Sequence, residues 1–382
     1  MRQLLLSFLA LCSVSTLVAN LGFLAGLPEL KFLKELLFTC VCLLALFKWK
    51  KLSWNSLFGG LALVAWGIVS VLWTGIGIKE LAYGLRYEVS FVVLFYAAYL
   101  LGIKKKQSLQ LLRRFVSSYY FLCIIALVIW VFGSEWMVYL GYRPDWSTFY
   151  VGQATAFCQK IEQLNICRMQ GFVSGPNVFG LFSLMIIALA RYINHKNLRR
   201  IQAVLIGCIV LSFSRSAMLA AIMYFTLEYS GGLKSMRELI WKNKFKTLGL
   251  SLIVCTGLLA FRGGSNSEHL IAWMQGWSSF LDAPVFGHGL NFSGPASRFG
   301  GVEFIPESWF LQVANNLGII GLGLFAWFLQ IVYKNTPSKV SHFIVALCVP
   351  LALLHSLEDA GFAYSFAISM GLIVNLQVNE AS

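Results

Sequence analysis

The chain has 382 residues, 58% of them hydrophobic and 12% charged, with mean hydropathy +0.73 and a formal net charge of +14. Soluble domains carry about a quarter charged residues, so this balance excludes a soluble globular protein and predicts an all-α polytopic membrane protein, one transmembrane domain over residues 1–382. The 30 Lys and Arg recur in short groups between apolar segments rather than in a stripe with interleaved aromatics, which excludes a nucleic-acid partner.

Apolar windows long enough for membrane helices fall near residues 4–25, 31–47, 56–75, 85–102, 115–133, 173–190, 198–213, 217–233, 247–261, 309–333, 340–356 and 360–377, about twelve transmembrane helices in all. The first, "MRQLLLSFLALCSVSTLVAN", has no small-x-small cleavage site followed by a polar start, so it reads as a membrane helix rather than a signal peptide. With both termini in the cytoplasm, the inner loops hold 20 of the 30 basic residues, while Glu228, Glu238 and Glu380 are their only acids. The positive-inside bias therefore fixes this orientation. Two extended outer-face loops follow, 134–172 and 262–308.

The first outer loop carries "CQKIEQLNIC". On an outer face Cys158 and Cys167 are expected to form a disulfide, the alternative being two free thiols. Seven further cysteines in apolar spans read as small buried hydrophobes. Next comes "GPNVFG": Gly175 and Pro176 bend the chain into the sixth span, and Asn177 is either its cap or a ligand contact.

"LSFSRSAMLA" lies between two basic clusters, so the chain turns round at Arg215. Each arm has about 16 or 17 residues, roughly 25 Å of helix against a hydrocarbon core of about 30 Å. The turn is expected below the outer surface, in a protein-lined recess, with Ser214 and Ser216 adding hydroxyls around the guanidinium. Such converging donors suit an anion, although a helix-end arginine snorkelling to lipid phosphate is the plainer alternative. Arg86, Arg168 and Arg262 fall at three other outer helix ends, and arginine grips phosphate oxygens bidentately where lysine offers a point charge.

In the second outer loop, Leu270, Ile271, Trp273, Met274, Trp277 and Phe280 recur at helical spacing, predicting a short amphipathic helix over 268–281 along the interface. A turn-rich passage, "APVFGHGLNFSGPAS", leads to Glu307, one turn before the tenth span. Glu307 is a candidate proton acceptor or a helix-start acid facing the dipole, and His269 is a second titrating candidate beside His288. His355, Glu358 and Asp359 form a further polar cluster at the outer end of the eleventh span.

Taken in order, "RMQGFVSGPNVFGLF", "FSRSAML" and "R…SEH…P…GHGL…GPAS…ESWFLQ…LGIIGLGLF" resemble the O-antigen ligase/polymerase superfamily, polyprenyl-diphosphate-dependent membrane glycosyltransferases. The likeness runs from about Arg86 to Asp359. It implies transfer of a glycan from an undecaprenyl-diphosphate-type lipid carrier to a hydroxyl, on the outer face of the cytoplasmic membrane. A lipopolysaccharide core, another lipid-linked glycan or a protein would be the acceptor. The family's arginines match Arg215 and Arg262. Where ligases carry histidine in an "HN-x-aromatic-L" pattern, this chain has "ESWFL" with Glu307, as polymerase-like members do.

Such a donor brings its own leaving group and needs no nucleotide. Arg215 and Arg262, with Arg86, Arg168, Asn177, Ser214 and Ser216, would hold the diphosphate, while Glu307 or His269 would take the proton. With no D-x-D or H-x-x-x-H motif, the expectation is inverting, metal-independent transfer without a cofactor. The competing reading is a transporter of an organic anion or lipid-linked glycan, although "SRSA" and "GPN" have no duplicate in the first half.

Overall fold

The computed structural model describes residues 1–47, 58–101, 103–143, 154–161, 165–242, 263–295, 297, 304–354 and 356–381. It is almost wholly helical. Helices α1 (Arg2–Ser13) and α2 (Ser15–Leu24) meet at 72° and lead to α3 (Leu33–Leu46). Next are α4 (Phe58–Val69), α5 (Val71–Thr74) and α6 (Ile78–Gly84), which passes through a π turn at Leu85–Val89 into α7 (Ser90–Leu100). After α8 (Lys105–Phe132), an antiparallel hairpin of β1 (Gln159–Ile161) and β2 (Ile166–Arg168) precedes α9 (Pro176–Tyr192). The remainder is α10 (Leu198–Leu211), α11 (Arg215–Ser230), α12 (Leu233–Lys242), α13 (Gly263–Asp282), α14 (Trp309–Lys334), α15 (Ser338–Leu353) and α16 (Ala360–Ala381).

The structure does not support twelve full crossings. Among the described residues four helical segments are long and apolar enough: Ile78–Leu100, Lys105–Phe132, Trp309–Lys334 and Ala360–Val378, with a fifth if the bent α1–α2 pair counts as one span. Other apolar windows give shorter helices: 14 residues in α3 and α10, 17 in α9, 16 in α11 and α15. The windows at 4–25 and 56–75 are broken within, at Val14 and Ser70. The five shorter helices nearly fill their windows, and at about 1.5 Å per residue their 14–17 residues fall short of a hydrocarbon core of about 30 Å. The expected span at 247–261 lies outside the described residues.

Two spans form the centre. In α16 89% of the apolar window is buried inside the protein, whereas in α8 the figure is 28%, so α8 is peripheral. On α8, Phe121, Val128, Val131 and Phe132 are exposed, an outward apolar surface of the kind a bilayer covers. Helix α7 packs beside α16, and Phe91, Phe95 and Tyr96 meet Phe325 and Phe328 of α14 edge to face.

Five polar contacts and two aromatic pairs set helix directions. Ser90 Oγ bonds Tyr364 Oη at 3.4 Å and Asn375 Nδ2 donates to Tyr99 O at 2.8 Å, so α7 and α16 run parallel. Glu228, near the end of α11, binds both Arg191 near the end of α9 and His342 near the start of α15. Trp309 N donates to Leu354 O at 3.2 Å, tying the start of α14 to the end of α15. Phe91 of α7 meets Trp309 of α14, and Phe182 of α9 meets Phe362 of α16, so α7, α9, α11, α14 and α16 all begin at one end of the bundle, its head.

Candidate functional site

The turn between α10 and α11 is built from its serines. Ser212 Oγ donates back to Ile209 O at 2.7 Å, and Phe213 adopts a left-handed φ of 48° that reverses the chain. Ser214 then caps α11, its hydroxyl accepting from Ala217 N at 3.3 Å, and lies 3.2 Å from the Ser216 hydroxyl. Arg215 is the first residue of α11, half-buried at the positive end of the helix dipole.

Arg168 closes on the same turn from the hairpin. It is buried, 4% exposed, with Nε donating to Ser212 O at 3.0 Å, Nη2 to Asn177 Oδ1 at 2.7 Å and Nη1 to Gln159 Oε1 at 3.4 Å. Met169 N donates to Leu211 O at 2.9 Å, so backbone and side chain together stitch the hairpin to the turn. Asn177 is thus not the cap of α9; its amide oxygen orients the guanidinium. Cys158 and Cys167 are joined by a disulfide, Cα atoms 5.5 Å apart, immediately beside Arg168. Trp130 Nε1 donates to Cys167 O at 2.8 Å, anchoring the hairpin to α8. A surface hollow lined in part by Trp130, Phe157, Arg168 and Gln170 opens next to it.

The structure thus brings together Arg168, Asn177, Ser214, Arg215 and Ser216. Arg86 is engaged elsewhere at the head: its Nε is 3.0 Å from Glu35 Oε1, its Nη1 donates to Tyr87 Oη at 3.1 Å, and its guanidinium lies 4.8 Å from the Tyr87 ring centre. Arg262 and His355 lie outside the described residues.

Glu307 and His269, the two candidate proton acceptors, form one pair, His269 Nδ1 standing 3.2 Å from Glu307 Oε2. The amphipathic helix expected over 268–281 is α13. It leaves Leu270, Ile271, Met274 and Leu281 exposed and carries His269 to the start of α14, where Ser308 caps the helix by accepting from Leu311 N at 3.4 Å. His288 has a structural role, bonding Ser279 O at 3.0 Å and stacking on Phe292 at 4.1 Å. Asp359 accepts from Phe362 N at 2.8 Å at the start of α16. Among the described residues, no group of three or more His, Cys, Asp and Glu comes together to hold a metal ion.

One buried polar cluster escaped the sequence reading: Glu88, Gln312 and Asn316 at 2%, 0% and 0% exposure. Its signal was present as ionisable and amide side chains inside apolar windows, where an apolar residue would be cheaper to bury. In comparisons with known proteins, no protein-family model and no curated protein matches the chain.

Proposed function

We propose that the protein is a membrane glycosyltransferase of the O-antigen ligase/polymerase type, moving a glycan from a polyprenyl diphosphate to an acceptor hydroxyl. The reading places the head of the bundle at the outer face of the cytoplasmic membrane and both termini inside. The observation that carries it is the convergence of Arg168 and Arg215 on one serine-rich turn. Guanidiniums oriented in advance stabilise charge that develops on a departing diphosphate without having to reorganise as it forms.

In this scheme the acceptor oxygen attacks the anomeric carbon from the face opposite the diphosphate. The sugar–oxygen bond to the diphosphate breaks, its electron pair leaves with the phosphate oxygen, and the anomeric centre inverts. Glu307 takes the hydroxyl proton, and His269 at 3.2 Å orients the carboxylate. Arg215 and the Ser214 and Ser216 hydroxyls contact the diphosphate, while Arg168 and Asn177 hold the turn.

The test is direct. Purified protein in nanodiscs, given a lipid-linked glycan and an acceptor, is expected to release polyprenyl diphosphate, and Arg215→Ala is expected to stop the release. No release by the wild-type protein across glycan acceptors would overturn the reading. A second reading, transport of an organic anion or lipid-linked glycan, is favoured by one observation. Helix α14 is interrupted at Gly318 beside buried polar groups, as helices at transport sites are. It predicts movement of the lipid-linked glycan across a sealed vesicle with no diphosphate released. Surface glycans after gene deletion separate the acceptors: shortened chains indicate polymerisation, and full-length chains stranded on lipid indicate ligation.

A further inference from the structure

Helix α14 breaks ten residues in. Gly318 adopts φ 68° and ψ −170°, and a side chain there would collide with Val285 O. The break frees carbonyls that a continuous helix would satisfy, and the loop before α14 takes them. Asn315 O accepts from His288 N at 2.8 Å, Asn316 O accepts from Gly289 N at 2.7 Å, and Ile319 N donates to Pro284 O at 2.9 Å. Two indoles brace the junction, Trp66 Nε1 on Leu317 O at 3.0 Å and Trp73 Nε1 on Gly287 O at 3.3 Å. The loop is therefore wedged into the helix, and it carries polar groups into the interior.

Those groups meet Glu88, which comes from the π turn before α7. Asn316 Oδ1 accepts from Ser293 N at 2.8 Å and Ser293 Oγ at 2.7 Å, and this pair of donors fixes which way the amide points. Its Nδ2 donates to Glu88 Oε1 at 2.5 Å, and Asn291 N adds a longer contact to the same oxygen at 3.4 Å. Among the described residues, Glu88 Oε2, Asn291 Oδ1 and both amide atoms of Gln312 have no hydrogen-bond partner, and all lie buried. Gln312 stands one helical turn before Asn316 on the same face of α14, and its amide and the buried Glu358 carboxylate both press on Gly294, in the loop segment that bears Asn291 and Ser293.

The cluster thus has more acceptors than donors. A buried carboxylate is costly unless its charge is met, and an unpartnered amide oxygen adds to that cost. We propose that this cluster binds one alkali cation, with Glu88 supplying the charge and the Asn291 and Gln312 side-chain oxygens completing the shell. The proposed ligands are all oxygen, which selects a hard ion, and Glu88 is the one carboxylate among them. The bound ion fixes the 283–294 loop against the broken helix and so holds the approach to Glu307.

The test is thermal unfolding of the purified full chain in sodium, potassium or choline chloride at equal ionic strength and pH. Sodium or potassium is expected to raise Tm by about 2–5 °C over choline in a saturable manner. Glu88→Gln is expected to abolish that shift, and Gln312→Leu to raise the half-saturating concentration at least tenfold. Sodium-23 relaxation on the wild-type protein gives a second reading if a variant fails to fold: line broadening that potassium competes away supports the site. Equal Tm in all three salts, together with a sodium-23 linewidth that potassium leaves unchanged, overturns it. So does a cation shift undiminished in Glu88→Gln, or a Tm that follows pH through Glu88 and ignores the alkali ion, which would make the occupant a proton.

Discussion

The two ends of α11 use arginine differently. At the tail, Arg191 Nη2 meets Glu228 Oε2 at 2.9 Å, and the other carboxylate oxygen meets His342 Nδ1 at 2.8 Å. That carboxylate cancels charge and locks α9, α11 and α15 together. At the head, Arg168 donates to three neutral oxygens, a backbone carbonyl and two side-chain amides. Neutral acceptors orient a guanidinium without cancelling it. One residue type thus closes an ion pair between helices at one end and is oriented by carbonyl and amide oxygens at the other.

The largest effect that sharpens this contrast is on catalysis. Arg215→Ala is expected to lower diphosphate release at least about 100-fold, in line with the removal of a charge-stabilising donor. Arg191→Ala should leave it within about twofold while costing about 1–3 kcal/mol of stability, because Glu228 loses one of two partners. Equal activity losses in the two variants would erase the distinction.

Glu307→Gln comes next. The neutral amide can still sit beside His269 but cannot take a proton, so turnover is expected to fall at least about tenfold with donor binding unchanged. Steady-state rates beside a lipid-diphosphate binding assay make the separation, and unchanged turnover would remove Glu307 as the acceptor.

Cys158→Ser with Cys167→Ser should destabilise by about 2–3 kcal/mol and reduce activity by a smaller factor, because the hairpin carrying Arg168 keeps its bonds to Leu211 and Ser212. Unfolding with and without reductant measures the first, and the release assay the second. Activity lost as completely as in Arg215→Ala would give the disulfide a role beyond tethering.

The smallest effect belongs to the tail. His195 Nδ1 accepts from Asn197 N at 3.2 Å and Nε2 lies 3.0 Å from Ser117 Oγ, a neutral-ring arrangement. Burial first, then Arg113 and Lys196, push its pKa below the usual histidine value. The folded state therefore prefers the neutral ring, and its contribution is complete above the unfolded pKa of about 6.5. It is lost as pH falls through the lowered folded value. Tm should drop between pH 7.5 and 5 more steeply in the wild type than in His195→Asn, and identical slopes would refute this.

Sequence patterns carried the membrane class because composition alone excludes a soluble core. They carried the α10–α11 turn because basic clusters on both sides force a reversal at Arg215. Lengths were less legible. The apolar window over residues 4–25 runs unbroken across Val14, and only the folded chain shows that hydrogen bonds end one helix and start another there. Arg86 looked equivalent to Arg168, but its partner Glu35 is 51 positions away and no local pattern announces it. The Glu88–Asn316 contact spans 228 positions for the same reason. Gly318 was visible as a residue, but its left-handed φ follows from the loop that wedges against it.

Binding of polyprenyl diphosphate to the purified protein, compared between the wild type and Arg215→Ala, tests the cationic turn most directly. The account predicts that the alanine variant binds at least about tenfold more weakly and that Arg215→Lys recovers part of the loss, since lysine keeps the charge but not the fork. Equal dissociation constants for all three would contradict it.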